Sequence, residues 1–178
     1  MRIALINSPS LSVRPVSRSM AGGLGFDGNE DMLLPPLDLA TMAATLRQTG
    51  ETVDVIDADP LGLDAAAVYA RLEHHQWDVG VGTVSLPTLE QDALFLAELR
   101  RRHPGTRIVG KTLVRDHAVL KALLEKSAAD LVIHGEADLT IVDIVYGRGT
   151  AGTAWLKAGS PGTAPSFHFD EGSPVEDL

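Results

Sequence analysis

Residues Gly105-Thr-Arg-Ile-Val-Gly110-Lys111-Thr112 match the phosphate-loop pattern G-x-x-x-x-G-K-S/T letter for letter. In such a loop the backbone amides wrap a phosphate and the lysine reaches its oxygens. That chemistry needs the intervening residues in a loop. Thr-Arg-Ile-Val reads instead as a strand behind the helix stop Pro104-Gly105, and an extended chain holds Gly105 and Gly110 roughly 16 Å apart. The next helix begins near Asp116, too far along to offer its first amides to the same phosphate. A phosphate- or nucleotide-binding protein using Gly110-Lys111-Thr112 is therefore the weakest of three functional readings. Nucleotide binding that is lost in Lys111→Ala would favour it.

The other reactive groups are sparse. His74, His75 and His103 fall at the ends of expected helices, His117 on an early helical turn and His168 in a late hairpin. None has a partner at metal-ligand spacing, so no metal site is assigned. His134 closes the apolar run DLVIHG at an edge where a ligand would sit; otherwise it is a packed or hydrogen-bonded core residue. Asp57 and Asp59 resemble the start of a receiver-type acid pocket. Such a pocket wants a phospho-acceptor carboxylate at the end of the third strand, where Val84-Ser85 stand. Ser85 has neither an obvious base nor a nucleophile-elbow sequence, and no catalytic residue is assigned. Thr83, Ser85 and Thr88 read better as hydroxyl donors to the amides and phosphate of a bound ligand.

Those groups need a frame that brings them to one edge. RIALIN (2–7) predicts a first strand with no wet face. Residues 8–34 predict a long loop rich in Ser, Pro and Gly, a length that is usually functional or disordered. A first helix starts near Pro36 and buries Leu39, Met42, Ala43 and Leu46 at helical spacing. Gly50 closes it, because a left-handed residue ends helices well. Further strands are expected at 53–57, 78–85, 106–110 and 130–135. Helices come between them: one over 65–75 capped by Asp64, one opened by a Thr88/Gln91 capping box and ended by Arg100–Arg102 and His103, one capped by Asp116, and one over 138–146. TAWLKA (153–158) and SFHF (166–169) predict a β-hairpin around GSPG. Strands alternating with helices imply right-handed crossovers and a parallel sheet covered on both faces. The expected fold is α/β: a flavodoxin-like or Rossmann-like, doubly wound, five-stranded sheet in order 2-1-3-4-5 over residues 1–150, with a hairpin appendage at 151–178. Ligands on such sheets lie beyond the carboxyl ends of the strands.

Composition narrows the partners. The chain has 178 residues, formal charge −9, 44% hydrophobic residues, only 4% aromatics and no cysteine. The acidity disfavours nucleic acid. No run approaches the roughly 20 apolar residues that span a bilayer, and RIALIN lacks the pattern of a signal peptide; a cytoplasmic location is expected. Without cysteines the chain holds no disulfide, thiolate metal site or iron–sulfur cluster of its own.

PPLDLATMAATLRQTG (35–50) followed by VDVIDAD (53–59) is the most specific stretch. Together with INSP at the first strand end, DVGVGTVSLPT (78–88) and DLVIHGEADLT (130–140), it resembles the N-terminal cobalamin-binding domain of B12-dependent radical SAM enzymes. The hairpin and SPVEDL resemble the lead into the radical SAM barrel of that family. The resemblance implies cobalamin held over the strand ends by Ser8 and Pro9, by Thr83, Val84, Ser85, Leu86 and Thr88, by Gly110, Lys111 and Thr112, and by His134, Gly135, Glu136 and Ala137. It implies a 4Fe-4S cluster and S-adenosylmethionine in a further C-terminal radical SAM domain, so that this chain reads as an isolated or truncated domain of a methyltransferase or cyclase-type parent. An apolar face exposed by truncation would favour a homodimer.

Departures are specific. The three-cysteine cluster motif is missing. The loop after strand four is usually Gly-Gly-Pro-His in the family and is Gly110-Lys111-Thr112-Leu113 here, which puts a long cation where a second glycine would admit a large planar ligand. The Asp-x-His-x-x-G motif that ligates cobalt in methionine-synthase-like modules is absent, as is normal in the radical SAM branch. The alternative reading is a non-catalytic interaction domain of the same fold with a degenerate ligand edge.

Overall fold

The computed structural model describes residues 1–10, 15–18, 26–27, 34–160 and 163–172. The expected turn GSPG lies partly, and SPVEDL wholly, outside the described residues. In chain order the elements are β1 (Arg2–Asn7), β2 (Val16–Ser17), β3 (Phe26–Asp27), α1 (Leu37–Gln48), β4 (Thr52–Asp57), α2 (Ala65–Glu73), β5 (Val79–Thr83), α3 (Leu89–Arg102), β6 (Arg107–Thr112), α4 (His117–Ser127), β7 (Leu131–His134), α5 (Thr140–Tyr146), β8 (Thr153–Lys157) and β9 (Ser166–Phe169).

Five of these strands run parallel in the order β4-β1-β5-β6-β7, the 2-1-3-4-5 winding expected from sequence. The hairpin is more than an appendage. β8 pairs antiparallel with β7, and β9 with β8, so one sheet carries seven strands. β2 and β3 form a separate two-stranded pair inside the long loop.

Alternation along the strands divides the core. Ile3 and Leu5 point to the α1 and α5 face, with Leu39, Met42, Leu46 and Ile141; Ala4 and Ile6 point to the α2, α3 and α4 face, with Val68, Leu72, Leu96 and Leu120. Every one of those side chains is at most 1% exposed, so each contributes on the order of 1–3 kcal/mol of apolar burial. α1 ends as the sequence predicts. Gly50 takes φ +89, its amide donates to the Arg47 carbonyl, and the Glu51 amide donates back to Leu46, which together make a Schellman cap. Asp64 and Asp116 cap α2 and α4 through the amides of Ala67 and Val119. The capping box expected for α3 does not form. The Thr88 hydroxyl is already held by Ser85 and Asp92, and Gln91 reaches the Pro9 carbonyl instead.

Glycines set how closely α3 lies on the sheet. A Cβ at Gly82 would come within 2.6 Å of Leu96 Cδ2, and one at Gly110 within 3.1 Å of Val132 Cγ2. Gly110, expected at the ligand edge, thus faces the helix layer. Gly82→Ala should cost about 1–3 kcal/mol in urea unfolding, because buried Leu96 has to leave its rotamer. Gly105→Ala, where a Cβ meets nothing within 4 Å, should be close to neutral. Equal midpoints for Gly82→Ala and the parent would contradict this packing.

Candidate functional site

The five parallel strands all end on one edge, and β1 and β5 lie side by side there with crossovers to opposite faces. A doubly wound sheet opens its ligand crevice at that switch point. Here the crevice is full. Asp92, in the first turn of α3, is 1% exposed and serves as the hub. Its Oδ1 accepts from Ser8 Oγ at 2.9 Å, and Arg18 Nε donates to both carboxylate oxygens at 3.1 Å. Its Oδ2 accepts from the Ser85 amide at 3.2 Å and from the Thr88 hydroxyl. An ionised carboxylate removed from water persists only with such partners. The Arg18 side chain is itself 1% exposed. It comes from the loop before α1, on the strap of Val16–Arg18, and its Nη2 also donates to the Pro9 carbonyl.

Beside the crevice the polar chain continues. Thr83 Oγ1 donates to Asn7 Oδ1 at 2.8 Å, and Asn7 Nδ2 donates to Asp57 Oδ1 at 2.8 Å. Burial, and secondarily Asp59 beside it, push the Asp57 carboxyl above its ordinary value, against the Asn7 hydrogen bond. Asp59 accepts from the amide and hydroxyl of Ser10, each at 2.7 Å. Asp57, at the end of β4, thus bonds the end of β1, Asp59 holds the loop at Ser10, and the end of β5 presents no carboxylate.

On the α1 and α5 side of the same edge lies a cavity of about 540 Å³, within the usual size of a small-molecule site. Its rim is the proline pair and its neighbours, Leu34, Pro35, Pro36 and Leu37, facing Leu113 and the turn Gly135–Asp138. Gly135 holds φ +89, which folds that turn tightly after β7. Lys111 and Arg18 bring positive charge to the cavity; Asp38, Glu136 and Asp138 bring negative charge. Lys111 is 3% exposed and forms an ion pair with Asp38 of α1. It projects from β6 into the helix layer, in a strand whose neighbours pair residue by residue, so no phosphate cradle forms around it.

Of the residues expected at the ligand edge, Lys111, Gly135, Glu136 and Ala137 line this cavity together. Ser8, Ser85 and Thr88 meet around Asp92 instead, and Thr83 bonds Asn7. Pro9 offers its carbonyl to Arg18 and Gln91. Val84 is buried at the β5 end, its amide on the Lys111 carbonyl, and Leu86 stands exposed. Thr112 is buried, its carbonyl accepting from the Gly135 amide. His134 lies under the C-terminal hairpin, away from the cavity. It stacks on Phe169 with ring centroids 4.2 Å apart, and its Nε2 meets the Asp170 carbonyl at 3.0 Å. Sequence reasoning passed over Arg18, Asp92, Asp38 and the cavity role of the proline pair. The prolines were visible as a helix start. Nothing local marks Arg18, whose partner is 74 residues away.

No protein-family model matches the sequence, and no curated protein matches it. Solved structures do match in fold. The radical S-adenosylmethionine methyltransferase TsrM from Kitasatospora setae, with cobalamin and an iron–sulfur cluster bound, aligns over 86% of this chain with a TM-score of 0.62 and 16% identity. A second TsrM structure, with tryptophan substrate and a SAM analogue, gives the same score over 87% of the chain. In both the chain spans 28% of the neighbour's length. The isolated receiver domain of RcsB from Salmonella enterica serovar Typhimurium, with the phosphomimetic beryllium fluoride, aligns over 84% of this chain and 89% of its own, with a TM-score of 0.53 and 15% identity. At these identities the likeness is one of fold: a flavodoxin-like domain of the kind found in TsrM and in receivers. Among the described residues no helix is long and apolar enough to cross a membrane, and no His, Cys, Asp or Glu cluster could hold a metal ion.

Burial holds the His134 imidazole below its ordinary pKa, with Arg115 adding to the shift and the Asp170 carbonyl opposing it; burial also lowers His103. Both groups bind a proton more readily unfolded. Their contribution is therefore intact above the unfolded value, about 6.5, and is lost as pH falls through it toward the depressed folded values. Thermal unfolding should lose stability between neutral and mildly acidic pH, and His134→Phe, which keeps the stack on Phe169, should flatten part of that slope. An unchanged slope would show that His134 titrates as it does in the unfolded chain.

Proposed function

We propose that this chain is a cobalamin-binding-type domain of a B12-dependent radical SAM enzyme, a methyltransferase or cyclase-type parent working in the cytoplasm. The reading rests chiefly on one observation: the apolar cavity of about 540 Å³ at the carboxyl ends of the strands, walled by the proline pair and by Gly135 to Asp138. Its support from comparison is the shared fold with TsrM, a cobalamin-containing methyltransferase.

The fit of the cofactor divides between the two halves of the edge. The cavity suits a flat, largely apolar ring. Pro35, Pro36, Leu37, Leu113 and Ala137 line it, and Gly135 adds no side chain to the lining. Lys111 is buried and tied to Asp38 of α1, so its ammonium is neutralised within the lining. The crevice between β1 and β5 does not fit a nucleotide tail as it stands, since Arg18 and Asp92 fill it; no step is derived through that slot. A bound corrinoid supplies the methyl-transfer or rearrangement chemistry. The contribution of this chain is to orient the ring and to shield one face from water. β8 and β9 extend the sheet, and in this reading they lead on to a radical SAM domain.

A second reading has its own observation. Arg18, Ser8, Ser85 and Thr88 gather around Asp92 and close the switch-point crevice. That is what an interaction domain with a retired ligand edge would contain.

Visible spectroscopy and gel filtration with added hydroxocobalamin separate the two. The cofactor reading expects retained, spectrally shifted cobalamin. It also expects Leu37→Glu to weaken retention at least about tenfold without unfolding the domain, since Leu37 is 69% exposed at the cavity rim. No retention, or retention indifferent to Leu37, favours the interaction domain.

A further inference from the structure

We propose that the corrinoid this edge selects is one without a nucleotide tail, of the cobinamide class: a corrin ring with its carboxamides and with neither phosphate nor base. This deepens the cobalamin reading above and rests on it. It follows from the half of the edge that the cofactor does not fit.

Room is the first argument. In a doubly wound sheet a nucleotide ligand is seated at the switch point. Here that point lies between β1 and β5, and Asp92, Ser8, Ser85 and Thr88 occupy it, all of them buried. The gap that leads from the cavity toward the end of β5, between Arg18, Lys111, Thr83 and Val84, is too narrow for a water molecule. A ring can lie against the cavity of about 540 Å³. A phosphodiester cannot follow it inward.

Charge is the second. Among the described residues that line the cavity, the cations are Lys111 and Arg18. Lys111 is paired with Asp38, and Arg18 with Asp92. Arg18 Nη1 has no hydrogen bond, but the carboxylate of Asp59 stands 3.9 Å from it. Both positive charges are thus answered by carboxylates of the chain itself. Glu136 and Asp138 remain in the lining, the latter accepting from Thr41 Oγ1 at 3.0 Å. Carboxylates repel a phosphate and accept well from the neutral N–H groups of carboxamides. The formal charge of −9 acts in the same sense over longer range.

The free face of the ring is the third. A cobalamin whose tail finds no slot keeps it folded beneath the ring, with its benzimidazole on the cobalt. That face is then covered and cannot lie against Pro35, Pro36 and Leu37. A corrinoid without a tail offers both faces to the same apolar lining.

The test titrates the whole chain with aquacobinamide and, separately, with hydroxocobalamin, read by visible absorbance and by retention in gel filtration. The proposal expects aquacobinamide to bind at least about tenfold more tightly than hydroxocobalamin, and to lose that affinity in Leu37→Glu, at the cavity rim. A second arm uses Arg18→Ala/Asp92→Asn, checked for folding by circular dichroism. It removes the guanidinium and the anion from the slot, so hydroxocobalamin should bind more tightly and the preference should narrow; if this variant does not fold, the comparison in the parent decides alone. Equal affinities in the parent, or tighter hydroxocobalamin, overturn the proposal and leave the cobalamin reading standing. A preference unchanged in the folded double variant overturns it as well. So does aquacobinamide binding that is indifferent to Leu37→Glu, because no described residue of the lining is a histidine and such binding is cobalt coordination elsewhere. If neither corrinoid binds, the cobalamin reading falls and the proposal with it.

Discussion

A carboxylate with no exposed surface must be matched by donors, and Asp92 imposes that requirement on the whole strand-end edge. Its side chain is 0% exposed. Meeting the requirement draws Ser8 in from the end of β1, Ser85 and Thr88 from the turn after β5, and Arg18 from the long loop. One charge on α3 thereby ties together the exit of the first strand, the exit of the third parallel strand and Arg18. The helix itself is set against the sheet by Gly82 and Gly110, which leave room for Leu96. The hub therefore stands on a rigid base, and the loop groups adapt to it.

The consequence is an edge with two unlike halves. On the α1 and α5 side the proline pair and the tight turn at Gly135 hold an apolar cavity open. On the other side Asp92 and its partners fill the crevice. The two halves share Arg18, which lines the cavity and pairs with Asp92. Lys111, the reactive-looking cation of the sequence, is of lesser consequence there. Its pairing with Asp38 ties β6 to α1 and removes its charge from the opening.

Much of the architecture was legible because it follows from local rules. Apolar strands, an amphipathic first helix and Gly50 predicted the winding order, and Asp64 and Asp116 announced their caps. The separation of Gly105 from Gly110 by a strand disposed of the phosphate loop. What stayed hidden depended on contacts across the chain. Thr88 and Gln91 satisfy a capping pattern locally, yet Asp92 and the Pro9 carbonyl compete for them and win. His134 ends a strand at the ligand edge, yet the hairpin folds back and buries its ring against Phe169. Antiparallel pairing of β8 on β7 could not be read from a five-strand pattern, because a parallel sheet's last strand does not announce whether its edge is covered. Arg18 carried no signal, since an arginine in a Ser/Pro/Gly loop reads as solvated until its distant carboxylate is known.

The most direct measurement is a double-mutant cycle on the hub. Unfolding free energies of the parent, Arg18→Ala, Asp92→Asn and the double variant isolate the coupling between the two charges. If Asp92 organises this edge through Arg18, the coupling is favourable and on the order of 2 kcal/mol or more, as for a buried pair whose single deletions strand a charge. Additive single effects would mean that the guanidinium and the carboxylate do not depend on each other, and the account of the edge would fail.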